Sequence, residues 1–315
     1  MAVVAIDMYQ EFIPADMKNK YLLSIVILVA VVIGGYFLLD FQKEIAPEGE
    51  NFSGKPAVQS HRSYEMELTS KLAQVEPGKP VAIAYKIKND KGQILKNYEV
   101  VHEKIMHFIV IRKDLQYFQH IHPTFNESTG DFNIDVTFPT NGPYRMFPDF
   151  TPAKSKDNPQ LLPVTLFKDI EVEDLGKYTT QNVKPDITGK KTVGDYEISF
   201  IIQKQEQLKA QKELTYSLVI SKNGQPVKDL ENYLGALGHS VILRAGNLDF
   251  IHTHPKTMTG SNTDKHMMQG ADTKQSTGPQ IDFETSFPEP GIYKIFTQFR
   301  HQEKVITVDY AIQVN

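Results

Sequence analysis

Three patterns of apolar and polar residues divide this chain. From Tyr21 to Leu39 the run YLLSIVILVAVVIGGYFLL carries no charge, which matches the ~20 residues a helix needs to cross a bilayer. Beyond Tyr64 the pattern turns to short alternating runs. Val81-Ala-Ile-Ala-Tyr-Lys-Ile87 is apolar at every second position, the signature of a half-buried strand. Between these regions, Ile45 to Arg62 is rich in Pro, Gly and Ser without any period, and reads as a flexible tether. No long pattern of helical period follows Asp40, although Gln203 to Glu213 is ambiguous.

Two stretches predict β-hairpins, and they are copies of each other. His107, His120, His122 and Pro123 recur as His239, His252, His254 and Pro255, each 132 positions further on. Tyr64-Glu-Met matches Tyr196-Glu-Ile at the same displacement, and Lys91-Gly92 matches Asn223-Gly224. The alternation in Leu214 to Ile220 is out of phase with Val81 to Ile87 by one position, which implies small compensating insertions and deletions. The second copy then carries an insertion, roughly Lys256 to Gly278. The match resumes with Phe138-Pro139 against Phe287-Pro288, and Gly142-Pro-Tyr144 against Gly291-Ile-Tyr293. A Gly-x-Tyr opening a late strand fits the tyrosine corner of immunoglobulin-like domains.

The predicted fold class is therefore all-β. Two tandem Ig-like β-sandwiches, over 63–175 and 190–315 with a linker at 176–189, follow a single N-terminal transmembrane helix at 21–39 and a tether at 40–62. Lys18 and Lys20 precede the apolar run, whereas Asp40, Lys43 and Glu44 follow it. The positive-inside tendency puts residues 1–20 in the cytoplasm and the C-terminal domains outside, in a single-pass cell-membrane protein. No small-x-small cleavage pattern ends the run, so an uncleaved signal-anchor is expected. Met17, followed by Lys-Asn-Lys, is a candidate start that would give an ordinary export signal.

Composition narrows the chemistry. A formal net charge of −4, with both signs interspersed, gives no reason to expect nucleic acid as a partner. The absence of cysteine excludes disulfides, thiolate metal sites and a Cys nucleophile. There is no Gly-x-Ser-x-Gly, no phosphate-binding glycine loop and no HExxH, so an enzyme is not expected. Three histidines with a water could support metal-assisted hydrolysis, but that needs a general base beside the imidazoles. Asp114 and Asp249 sit at the turn ends of the hairpins, away from them.

The histidines are the remaining signal, and six of the ten fall in the duplicated hairpins. A turn centred on Lys113-Asp114 sets His107 opposite His120, with His122 two residues on and on the same face. A turn centred on Ala245-Gly246 does the same for His239, His252 and His254. Ile109, Ile111 and Phe118 share that face in the first copy; Val241, Leu243 and Phe250 share it in the second. The proline after each last histidine holds it extended. Three neutral imidazoles with an open position suit copper or zinc, so His107, His120, His122, His239, His252 and His254 are the candidate ligands. His266-Met267-Met268 in the insertion is a weak candidate for a fourth ligand. The alternative is structural: a non-metal interaction module of the cell envelope, its histidines bonding to main chain at a sandwich edge. His61, His102 and His301 have no partner in the other copy and are expected at the surface.

The strings MHFIVIRKDLQYFQHIHP and YLGALGHSVILRAGNLDFIHTHP resemble those of poorly characterised bacterial secreted or membrane-anchored proteins with paired FxHxHP segments, similar in style to YtkA-like extracytoplasmic modules. The resemblance is sharpest over 104–150 and 232–300. It implies tandem Ig-like domains outside the membrane and a link to heavy-metal handling at the cell envelope, as a chaperone, buffer or sensor.

Overall fold

A computed structural model describes residues 64–315, apart from 73, 156–158, 174–177, 205–207, 254 and 256–277. Of His252 only the main chain is described. The expected cytoplasmic segment, membrane helix and tether lie outside the described residues, as do His61, His254 and the His266-Met267-Met268 loop.

The described residues are strands, turns and loops, with no helix among them. The first repeat holds β1 (Glu65–Leu68), β2 (Pro80–Lys88), β3 (His107–Arg112), β4 (Phe118–Ile121), β5 (Thr124–Asn126), β6 (Asp131–Thr137), β7 (Gly142–Phe150), β8 (Val164–Thr165) and β9 (Lys168–Val172). They make two antiparallel sheets, ordered β1-β2-β6-β5 and β4-β3-β7-β8, with β9 also on β7. In β2 the predicted alternation holds: Ile83, Tyr85 and Ile87 are buried while Ala82, Ala84 and Lys86 face outward. These meet Phe108, Val110, Tyr144 and Met146 from the other sheet in one core. The Tyr85 ring packs on Phe108 and Phe132 at centroid distances of 5.4 and 5.3 Å. Each such side chain contributes roughly 1.5–3 kcal/mol by leaving water.

The second repeat follows with β10 (Lys190–Val193), β11 (Tyr196–Ile202), β12 (Glu213–Lys222), β13 (Gln225–Pro226), β14 (Gly238–Arg244), β15 (Phe250–Thr253), β16 (Gln280–Ser286), β17 (Gly291–His301) and β18 (Lys304–Val314). Its sheets run β10-β11-β12-β13, with β16 on β12, and β15-β14-β17-β18. Tyr216 stacks on Phe283 at 5.0 Å as Tyr85 does on Phe132. Tyr85 and Tyr216 are 131 positions apart rather than 132, which accounts for the one-position phase slip between the two strands. Both Gly-x-Tyr tyrosines tie back to the main chain four residues upstream. Tyr144 donates to the Thr140 carbonyl at 2.9 Å and Tyr293 to that of Glu289 at 2.8 Å.

Ser53–Asn315 forms one unit, because the two repeats share a third apolar cluster. Ile109, Ile111, Leu115 and Phe147 of the first repeat pack on Val241, Leu243, Leu248, Phe250 and Phe296 of the second. The contacts are reciprocal. Phe118 stacks on Phe296 (4.5 Å, 7°), and Phe147 lies against Phe250 (5.2 Å). Lys294 donates to the Leu115 carbonyl at 2.7 Å, and Arg145 to the Asn247 carbonyl at 3.3 Å, so each hairpin turn is capped by a cation of the other repeat. The segment predicted as a linker is fastened at both ends of this seam. The Gln181 amide donates to Asp114, Asp186 exchanges bonds with Ala311, and Val183 packs into the cluster.

A buried histidine cluster at the seam

The hairpin turns are centred one residue later than the sequence suggested, on Asp114-Leu115 and Gly246-Asn247. Ile109 pairs with His120, and Val241 with His252, so both registers are displaced by two residues from expectation. His107 therefore lies across from the position of His122 rather than from His120. The cause is in the loop: Asp114 accepts from the Arg112 side chain at 2.8 Å and the Gln116 amide at 3.2 Å, and Leu115 takes a φ of 60°. Because the displacement is even, the faces are preserved. His107 and His120 remain on the side of Ile109 and Phe118, which is the face that meets the second repeat.

There the rings converge. One ligating nitrogen from each of His107, His120 and His239 lies within 4.8 Å of the others, and all three rings are buried (4, 8 and 2% exposed). His239 comes from the second repeat. Its ring is parallel to that of His107 at 5.3 Å and stands 4.9 Å from that of His120. His122 joins from the open side, with Nε2 3.3 Å from His107 Nδ1. The first-copy trio thus meets as expected and gains a member across the seam. A matching trio in the second copy falls on the His252 side chain and His254, outside what is described. His252 holds the same register position in β15 as His120 in β4.

Hydrogen bonds orient two of the rings. His107 Nε2 is 3.1 Å from the Val101 carbonyl, which only accepts, so Nε2 carries the proton and Nδ1 the lone pair of the neutral ring. His120 Nδ1 is 2.9 Å from Gln298 Oε1, and the Gln298 amide nitrogen is 3.0 Å from the Thr307 hydroxyl. His107 Nδ1 faces His120 Nε2 at 3.0 Å and His122 Nε2 at 3.3 Å. Two nitrogens on one tetrahedral zinc at ~2.0–2.1 Å are about 3.3–3.4 Å apart, against 3.0 and 3.3 Å from His107 Nδ1 to the Nε2 atoms of His120 and His122. A metal-bound imidazole also characteristically donates its other N–H to a carbonyl or similar acceptor, as His107 does to Val101. The donor set fits a metal ion.

Burial disfavours protonation of His107 and His122. It pushes the His107 imidazole below its usual range against the Val101 bond and the Asp149 charge. It pushes His122 down to about 3, with His107 and Lys104 adding to the effect.

Three neighbours escaped the sequence reading. His102, expected at the surface, is half-buried, with its ring 6.3 Å from that of His107 and 5.8 Å from that of His239. It sits in a two-residue turn closed by Val101 and Lys104, with positive φ at His102 and Glu103 (51° and 65°). The second copy repeats this turn at Tyr233 to Ala236, with Leu234 and Gly235 at its tip. Gly235 was the available signal, since its displacement by 132 marks a tight turn just before His107. Asp149 and Gln298 stand opposite His107 and His239 in their sheets. The expectation that no carboxylate adjoins the cluster fails at Asp149. Burial raises its carboxyl above the usual range, although the Thr165 hydroxyl (2.6 Å), His107 and His102 oppose this. His301 is buried too, but apart from the cluster, between the Tyr196 hydroxyl (2.8 Å) and Asp229 (3.1 Å).

Among the described residues, fold and site together define two all-β repeats whose facing sheets close over a histidine cluster. The chain belongs to the family described as Domain of unknown function (DUF8832), which matches residues 59–161 and 191–315. No curated protein matches it. Among solved structures it is similar to a Salmonella alpha-2-macroglobulin mutant, Y1175G, at 11% identity and a TM-score of 0.25, over 84% of this chain and 15% of that one. It is also similar to Escherichia coli alpha-2-macroglobulin activated by porcine elastase, at 12% identity and a TM-score of 0.24, over 79% of this chain and 20% of that one. The native conformation of the E. coli protein gives 14% identity and a TM-score of 0.24, over 83% of this chain and 14% of that one. The chain thus spans a fifth or less of the length of these structures.

Proposed function

We propose that this chain is a metal-binding protein of the cell envelope, anchored through Tyr21–Leu39, which holds a copper or zinc ion among His107, His120 and His239. His122 adjoins them as a further donor. His252 and His254 are included on the sequence repeat alone. The observation that carries this reading is the convergence of three buried imidazoles from both repeats, with one nitrogen of each of His107, His120 and His239 within 4.8 Å of the others.

We further read each repeat as an Ig-like β-sandwich. The sheet orders β1-β2-β6-β5 and β4-β3-β7-β9 follow the ABED and C′CFG arrangement, and the tyrosine tie-back occurs in both copies. Metal handling at the envelope then fits a chaperone, buffer or sensor, with no catalytic step. Equilibrium dialysis of the purified full chain against Zn²⁺ and Cu²⁺ tests the proposal. Binding that is lost in both His120→Ala and His239→Ala supports it; a chain that retains no metal, or retains it unchanged in both variants, overturns it.

A further inference from the structure

An ion among His107, His120 and His239 would have no direct contact with water, so the site needs a way in. Among the described residues, Ile109, Val241 and the Phe118–Phe296 stack lie toward the hairpin turns. Gln298 and Asp149 stand beside His239 and His107 on the neighbouring strands, and the Val101–Lys104 turn holds the far edge of His107. His122 faces another way. It is only half-buried, unlike the other three, while its Nε2 reaches to 3.3 Å from His107 Nδ1.

His122 also borders an open groove of about 370 Å³ on the outer face of the first sheet. The chain leaves β4 at Ile121 and starts β5 at Thr124, so His122-Pro123 is the crossing from one sheet of the repeat to the other. That places one imidazole between the buried cluster and the opposite surface. The groove runs across β2, β6 and β5, where Ala82 pairs with Asp135 and Ala84 with Asn133, which pairs in turn with Thr124. It exists because β2 presents two methyl groups outward where larger side chains would fill it. Its polar walls are Ser70, Thr124, Asn133 and Asp135: hydroxyl, amide and carboxylate oxygens that hold a hydrated divalent ion weakly. Such donors guide an ion without trapping it, whereas imidazole nitrogens bind copper and zinc more strongly than oxygens do.

We propose that His122 is the exchange ligand of the metal site, and that this groove is the route by which the ion loads and leaves. The inference rests on the metal-binding reading above. In this arrangement the ion sheds water stepwise, first onto the His122 nitrogen and then onto His107, His120 and His239, and leaves by the reverse path.

The test is stopped-flow loading of the full chain with Zn²⁺, and stripping of the loaded chain by excess chelator. Ala82→Trp and Asn133→Trp each fill the groove from an exposed position on a different strand. Both are expected to slow loading and stripping together by about tenfold or more, leaving the Kd unchanged, since an obstructed path alters both rates equally. His122→Ala is expected to slow loading while retaining tighter zinc binding than His120→Ala. Circular dichroism and melting confirm that each variant is folded, and the second tryptophan variant serves if one is not. Zinc that loads and leaves all three folded variants at wild-type rates overturns the route while leaving the metal site standing. A wild-type chain that takes up no zinc overturns both.

Discussion

Replacing His239 by alanine separates a shared site from two independent ones, because this ring belongs to the second repeat and its nearest imidazoles to the first. At a free metal concentration 100 times the Kd, an ion bound only by the folded chain adds about 2.7 kcal/mol of stability. At roughly 2–4 °C per kcal/mol for a protein of this size, the melting temperature rises by about 5–11 °C. Losing an outer-shell partner of a metal site typically weakens binding 10- to 100-fold. His239 is itself one of three buried donors, so a loss of about 100-fold is a lower bound. At the same metal concentration the chain is then half loaded, the added stability falls to about 0.4 kcal/mol, and the rise shrinks to about 1 °C. The assay is a pair of melts, with metal and with chelator, for wild type, His239→Ala and His107→Ala. Comparing each variant with itself removes the cost of the cavity left by the ring. A full metal-induced rise in His239→Ala, alongside a lost one in His107→Ala, would refute the shared site.

Gln298→Ala removes the side-chain partner that orients the His120 ring through Nδ1, and should weaken zinc binding about 10- to 100-fold while leaving the stoichiometry intact; isothermal titration reads both. The metal-free chain should lose stability in acid. The His122 imidazole is held down at about 3 in the folded chain, whereas in the unfolded chain it titrates near ~6.5. Between those values the unfolded chain binds more protons, so urea stability in chelator should be whole above pH ~6.5 and fall as pH drops toward about 3. A flat profile would contradict the burial. Tyr144→Phe and Tyr293→Phe should each cost about 1 kcal/mol in urea denaturation, for the hydrogen bond from hydroxyl to Thr140 or Glu289.

Much of this was legible in the residues. The 132-residue repeat placed both hairpins, and the apolar partners assigned to the histidine face, Ile109, Ile111, Phe118, Val241, Leu243 and Phe250, do line one surface. That assignment survived an error in the position of the turn because the resulting register shift was an even number of residues. The turns themselves were misjudged: dipeptide reasoning at Lys113-Asp114 cannot weigh the Arg112–Asp114 pair or the left-handed Leu115. The seam was missed for a different reason. Alternation assumes one wet face, yet the five positions from His107 to Ile111 are all buried, and Phe108 to Ile111 is apolar without a break. An uninterrupted run of that kind requires cover on both sides. Read so, it would have brought the two hairpins together and His239 to the first trio.

The exchanged cations at the hairpin tips make the duplication indivisible. A gene fragment encoding either half alone would leave the Leu115 or Asn247 carbonyl without its ammonium or guanidinium donor, and would bare a stripe of isoleucine, leucine and phenylalanine to solvent. What began as two copies of one unit now folds as a single obligate pair, so truncation at the 176–189 connector should yield insoluble protein rather than two small soluble domains.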